Sequence, residues 1–97
     1  MNKKELVFKY LDLLFKDSKF ITDDNKFKII NNDNIICSTS ERNGRIKGFH
    51  FSYSEFYFIL NMFSLSHGEV VDYIMEYISN KVPQTLFNIN LPFFPYL

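Results

Sequence analysis

The chain has 97 residues, 46% of them hydrophobic and 19% aromatic, and its eleven basic and eleven acidic side chains leave a formal net charge of zero. That length sets a single domain whose core needs no covalent staple, and the charge balance speaks against a nucleic-acid binder working through a basic surface and equally against an acidic mimic of DNA. The one cysteine, Cys37, excludes an internal disulfide and fits a reducing compartment, which points to the cytoplasm.

The opening, MNKKELVFKYLDLLFKDSKF, is basic and then apolar, but Lys9, Asp12 and Lys16 interrupt the apolar run, so no signal peptide is expected. No stretch reaches the roughly 18 uninterrupted apolar residues of a membrane span. Phe, Ile, Lys, Asn and Tyr abound while Ala and Trp are absent. These are the residues of AT-rich codons, so much of the aromatic content reads as coding bias and not as a surface for stacking bases.

Asn2 is placed to cap a first helix. Along it Glu5, Lys9, Asp12 and Lys16 form a narrow charged stripe with two acid-before-base pairs at i,i+4. The rest of its circumference is apolar, so this helix is expected to be covered on more than one side. The clusters TDDN and NNDN then mark turns. KFKII and IICST read as strands, Asn43-Gly44 is a type I′ hairpin signal, and IKGFHFSY reads as a third strand with Phe49, Phe51 and Tyr53 on one face. The expectation is a three-stranded antiparallel meander with one solvated face.

Ser52 to Glu55 and Ser66 to Glu69 each fit a capping box. A second helix over 53–65 is apolar nearly all round and reads as the central buried element. A third, from Glu69 to about Lys81, turns Val70, Val71, Ile74, Tyr77 and Ile78 inward and Glu69, Asp72, Glu76 and Asn80 outward, and Pro83 ends it. The tail alternates Phe87, Ile89 and Leu91 with asparagines, and Pro92 and Pro95 forbid a helix there. Phe87 to Leu91 is expected to lie on the protein's own sheet or helices. The fold class is α+β: N-terminal helix, three-stranded meander, two helices and an extended apolar tail over 86–97, in one domain spanning 1–97.

Little in this chain carries chemistry. Cys37 and His50 lack any oxyanion loop or orienting carboxylate, and Cys37 reads as a small buried apolar residue. His67 belongs to a capping turn. Asp23-Asp24 lacks the other oxygen ligands of a calcium loop, and with only Gly44, Gly48 and Gly68 there is no glycine-rich phosphate loop. No catalytic residue, metal or cofactor is expected.

The segment NGRIKGFHFSYSEFYFILNMFSLSHGEVVDYIMEYI looks like small uncharacterised proteins of phages and related mobile elements. In those a hairpin strand runs into an aromatic-rich helix, a short F-G-L-like turn follows, and a helix of E-I-x-x-x-I type comes next. Here the matching residues are Phe63-Ser64-Leu65 and Glu69-Val70-Val71-Asp72-Tyr73-Ile74. The chain departs from that pattern in lacking a tryptophan and in its apolar tail. The resemblance implies a phage or mobile-element origin, and it carries over no activity and no functional residue.

Missing chemistry together with surplus apolar surface points to a non-enzymatic accessory protein that binds another protein stoichiometrically. An inhibitor of a host defence nuclease, anti-CRISPR-like, is one concrete form, and homodimerisation competes for the same surface. One alternative is a virion or assembly component whose tail docks on a neighbour by adding a strand. Another is a DNA-binding regulator using the two C-terminal helices, which Glu69, Asp72 and Glu76 disfavour by facing phosphates. The candidate partner-binding residues are Arg42, Asn43, Arg45 and Lys47 at the hairpin tip, Tyr57 and Asn61 on the second helix, and Phe93, Phe94 and Tyr96 in the tail.

Overall fold

A computed structural model describes residues 1–23, 26–82 and 91–94. In chain order the elements are α1 (Lys3–Phe15), β1 (Lys19–Asp23), β2 (Lys26–Asn31), β3 (Asn34–Arg42), β4 (Arg45–Phe51), α2 (Tyr53–Met62), α3 (His67–Ser79) and β5 (Phe93–Phe94). The strands form one sheet in the order β1-β2-β3-β4-β5, antiparallel except for the parallel β4–β5 pair.

The α+β class stands, but the three-stranded meander is corrected to five strands. β1 escapes a periodicity reading because all five of its residues are exposed, so it has no buried face to impose alternation. β5 is two residues long and pairs with a strand more than forty positions earlier, a relation no local pattern announces. Phe87 and Ile89, the terminating Pro83, Asp24 and Tyr96 lie outside the described residues. Leu91 packs against the core, as expected for the end of that alternating run.

The turns between β2 and β3 and between β3 and β4 form as their residues require. Asn43 (φ 55°) and Gly44 (φ 77°) take the left-handed conformation between β3 and β4, and Asn32 (φ 50°) and Asp33 (φ 66°) do so between β2 and β3. Each of these ladders carries a bulge. Ile36 is the extra residue opposite Ile29/Ile30 and is buried, while Lys47 is extra opposite Ser40/Glu41 and stays exposed.

One face of the sheet is the core face. Phe27, Ile29, Cys37, Thr39, Phe49 and Phe51 lie on it and are buried against Val7 and Leu11 of α1, Phe56 and Ile59 of α2, and Val70, Ile74 and Ile78 of α3. Thr39 is tolerated there because its hydroxyl serves the neighbouring strand: Phe27 N–H donates to Thr39 Oγ1 at 3.0 Å, and that oxygen lies 3.4 Å from the Phe27 carbonyl. Tyr53 does not continue the aromatic face of β4. The chain leaves the sheet at Ser52, which caps α2, and Tyr53 is exposed in the first helical turn.

The helices differ from expectation in where they end and in which is central. Asn2 caps α1 as expected, accepting from Glu5 N–H at 2.8 Å. Asp12 does not face Lys16; it accepts from the Tyr77 hydroxyl at 2.6 Å and lies 3.8 Å from Lys81 Nζ, because this side of α1 abuts α3. Ser66 and Glu69 form a complete capping box. The Ser52–Glu55 box forms only by half: Glu55 N–H reaches Ser52 Oγ, but Ser52 N–H donates to the Ile36 carbonyl and the Glu55 carboxylate turns to Tyr10.

α2 stops at Met62, not Leu65. Leu65 N–H returns to the Leu60 carbonyl and Ser64 N–H to the Asn61 carbonyl, a Schellman stop with Ser64 at φ 52°. Nor is α2 the buried centre. Only Phe56 and Ile59 of it are buried, whereas α3 buries Val70, Ile74, Met75, Tyr77 and Ile78. Met75 takes the inward place expected of Val71, which is half-buried.

Candidate functional site

Cys37 pairs with Phe51 and faces the core, fully buried, and burial pushes its thiol up, away from the reactive thiolate. His50 pairs with Ser38, one step along, and therefore points to the other face of the sheet. The two side chains are separated by the sheet itself and form no nucleophile–base pair. Among the described residues no group of three His, Cys, Asp or Glu side chains comes together to hold a metal ion. His67 sits in the first turn of α3 with its ring 4.8 Å from that of Phe56.

The predicted partner-binding residues fall in three separate places. Arg42, Asn43 and Arg45 are exposed at the β3–β4 hairpin tip, and the bulge holds Lys47 exposed beside them. Tyr57 of α2 is half-buried between Tyr53 (4.7 Å) and Phe56 (5.3 Å), and Asn61 is exposed. Phe93 and Phe94 are engaged within the chain. Phe93 packs on Phe49, Phe51 and Phe56 of the core, and Phe94 crosses the open face with its ring stacked on His50 at 5.0 Å.

The helix layer holds the most conspicuous uncovered apolar surface. α1 and α2 meet in opposite directions: Lys3 Nζ at the start of α1 donates to the Ser64 carbonyl just past α2 at 3.1 Å, and the hydroxyl of Tyr10, midway along α1, donates to the Glu55 carboxylate in the first turn of α2. Between those ties the Tyr10 ring lies 5.1 Å from Phe58 and 6.4 Å from Phe63. Leu6 and Leu13 precede and follow Tyr10 on the same helical stripe, and Met62 follows Phe58 by one turn. Leu13 is 72% exposed, Met62 60%, Phe58 43% and Leu6 39%.

Singly, such residues need no explanation; grouped on the two helices that meet at Tyr10 and Phe58, they give the helix layer an apolar side of the kind that interfaces use. The breadth of the apolar arc on both helices signals this in the sequence. Which residues stay out depends on how α3 and the sheet take up the rest. Asn61, among the predicted residues, lies next to Met62 at the patch border.

The remaining polar contacts are structural. Tyr10 and Tyr77 hold their phenols well above the ordinary value, first through burial and then through hydrogen bonds to Glu55 and Asp12. Lys4 and Glu76 pair at 2.7 Å across α1 and α3. That pair, with the Ser66–Glu69 box, occupies two of the three acidic residues on the outer face of α3. No helix among the described residues is long and apolar enough to cross a membrane. Compared with known protein families, curated proteins and solved structures, the chain matches none.

Proposed function

We propose that the protein acts by stoichiometric binding to another protein, through the apolar seam between α1 and α2. The observation that carries this reading is the exposure of Leu6, Leu13, Phe58 and Met62 around Tyr10. A chain that buries Phe49, Phe51 and Phe56 completely also leaves these four outside. Leaving them in water forgoes burial at about 25 cal/mol per Å² of apolar surface, and a partner that covers them recovers it. Aromatic and methionine side chains at the centre of such a patch, with polar groups such as Lys9 and Asn61 around it, follow the usual anatomy of a binding surface.

In its concrete form the partner is a host defence nuclease and the protein its inhibitor, of the anti-CRISPR type. The resemblance of residues 43–78 to phage and mobile-element proteins motivates that choice of target. Inhibition then follows a 1:1 titration with no turnover. A panel of purified host nucleases titrated with the wild-type chain and with the double variant F58S/M62S tests it. The reading expects one nuclease to lose activity linearly up to equivalence with the wild type only. Equal inhibition by both chains, or inhibition of none, counts against it.

A further inference from the structure

We propose that β1 is the contact edge of a two-fold homodimer, in which two copies of Lys19–Asp23 pair antiparallel about Ile21 and join two five-stranded sheets into one.

β1 ends the sheet, and its far side carries no strand among the described residues. Natural edge strands are commonly blunted by a proline, a bulge or charged side chains. β1 has neither proline nor bulge, and its two charges stand at its ends: its pairing with β2 runs through all five residues without a register shift, and Phe20-Ile21-Thr22 at its centre are strong strand formers. The opposite edge is different, with the two-residue β5 set between Pro92 and Pro95.

The order of the residues selects the occupant. In KFITD the two charges are opposite in sign and equidistant from Ile21. An antiparallel pair centred on Ile21 sets Lys19 against Asp23 of the second copy twice over, Phe20 against Thr22 twice over, and Ile21 against itself. A parallel pair instead sets lysine beside lysine and aspartate beside aspartate. A one-residue slip moves every side chain to the wrong face. Self-complementarity about a point is the requirement of an isologous contact, and this segment meets it.

The two faces also match. Ile21, 39% exposed, meets its own copy on the open face. Phe20, 45% exposed and packed on Phe27 at 5.5 Å, lies on the helix side beside a groove walled by Phe15, Ile78 and Val82. A two-fold axis perpendicular to the sheet brings both helix layers to the same side, so this groove adds apolar area to a strand contact that is too short to hold a dimer alone.

Sedimentation of the full chain tests the proposal. The wild type is expected to be a dimer with a concentration-dependent monomer fraction. Lys19→Glu sets glutamate against aspartate at both ends, and Asp23→Lys sets lysine against lysine. Each change is expected to raise the dimer Kd on the order of thirtyfold, since like charges directly opposite repel. Mixed in equal amounts, the two variants bring an acid against a lysine at both ends of the strand pair, and the dimer returns as a heterodimer. A wild type that stays monomeric up to millimolar concentration overturns the proposal, as do variants that dimerise like the wild type or a mixture that does not recover. Amide exchange in residues 19–23 gives a reading without any variant. Protection that rises with protein concentration supports the edge contact, and concentration-independent exchange contradicts it.

Discussion

Gly48 and Phe94 occupy the same place on the open face of the sheet: a Cβ on residue 48 would lie 2.9 Å from Phe94 Cε2 and 2.9 Å from Ser40 Oγ. The glycine is the footprint of β5. Its missing side chain lets the Phe94 ring lie flat across β4 and reach His50, while Phe49 N–H takes the Pro92 carbonyl at 2.9 Å. Gly48→Ala is therefore expected to cost about 1–3 kcal/mol, the range for overpacking a filled site. The cost should shrink in a Phe94→Ala background, because the two residues share one space. Urea denaturation of the four chains of that cycle measures the coupling, and full additivity would show that the ring does not depend on the glycine.

Ser64 predicts a gain in stability. It sits at φ 52° as the left-handed residue of the stop after α2, a conformation that costs a residue with a Cβ roughly 1–2 kcal/mol. Ser64→Gly keeps the carbonyl that accepts from Lys3 and removes the strain. A rise of about 0.5–1 kcal/mol is expected after the extra backbone entropy of glycine is allowed for. Thermal unfolding of the variant checks it.

Alkali should loosen the helix layer before the sheet. Tyr10 and Tyr77 have phenols raised above the ordinary value of 10.0 in the folded state, by burial first and then by Glu55 and Asp12. A raised value means that their stabilisation is complete below pH 10.0 and declines as the pH climbs toward the folded-state value. Spectrophotometric titration of tyrosinate should show two tyrosines ionising late, together with unfolding. Tyr77→Phe should remove one late ionisation and cost roughly 1 kcal/mol near neutral pH through the lost bond to Asp12. Ionisation of Tyr10 and Tyr77 at the ordinary value in the folded protein would contradict this.

Acid acts at the start of α3. The Glu69 carboxyl is held below its ordinary value by the Ser66 backbone N–H first and by the Ser66 side chain second. A lowered value gives stability that is present above the ordinary carboxylate range and is lost as the pH falls through the folded-state value. NMR titration should find the Glu69 carboxyl protonating below the ordinary glutamate value. Ser66→Ala, which removes the side-chain cap but keeps the backbone N–H, is expected to cost about 0.5–2 kcal/mol and to bring Glu69 part of the way back to that value.

What the sequence makes legible divides along local and non-local lines. Asn2, Ser66 with Glu69, and Asn43-Gly44 act within a few residues of themselves, and each forms as its spacing predicts. Asn32-Asp33, read only as a turn cluster, uses the same left-handed geometry. β1 stays hidden because none of its residues is fully buried, and β5 because its partner is distant in the chain. The apolar excess on α1 and α2 is plain from their composition, but its destination is not. α3 takes the centre through Ile74, Met75 and Ile78, and so leaves Phe58 and Met62 outside. Tyr57, chosen from the weakly polar strip of α2, is half-buried by Tyr53 and Phe56, while Phe58, one residue on, is the exposed ring.

The division of labour on α2 gives the sharpest contrast in stability. Phe56→Ala is expected to cost about 3–5 kcal/mol, because the ring is fully buried against Phe93 and the core. F58S/M62S should cost less, about 1–3 kcal/mol, because Phe58 keeps more than half of its surface covered beside Tyr10 while Met62 is mostly exposed. That contrast makes the double variant a usable probe of binding.

Quantitative capture from host lysate decides whether the seam between α1 and α2 is a binding surface. The wild-type chain and the equally folded F58S/M62S chain serve as paired baits. The wild type is expected to hold a protein at near-equal stoichiometry that is absent from the variant. The same proteins on both baits, or none on either, would contradict it.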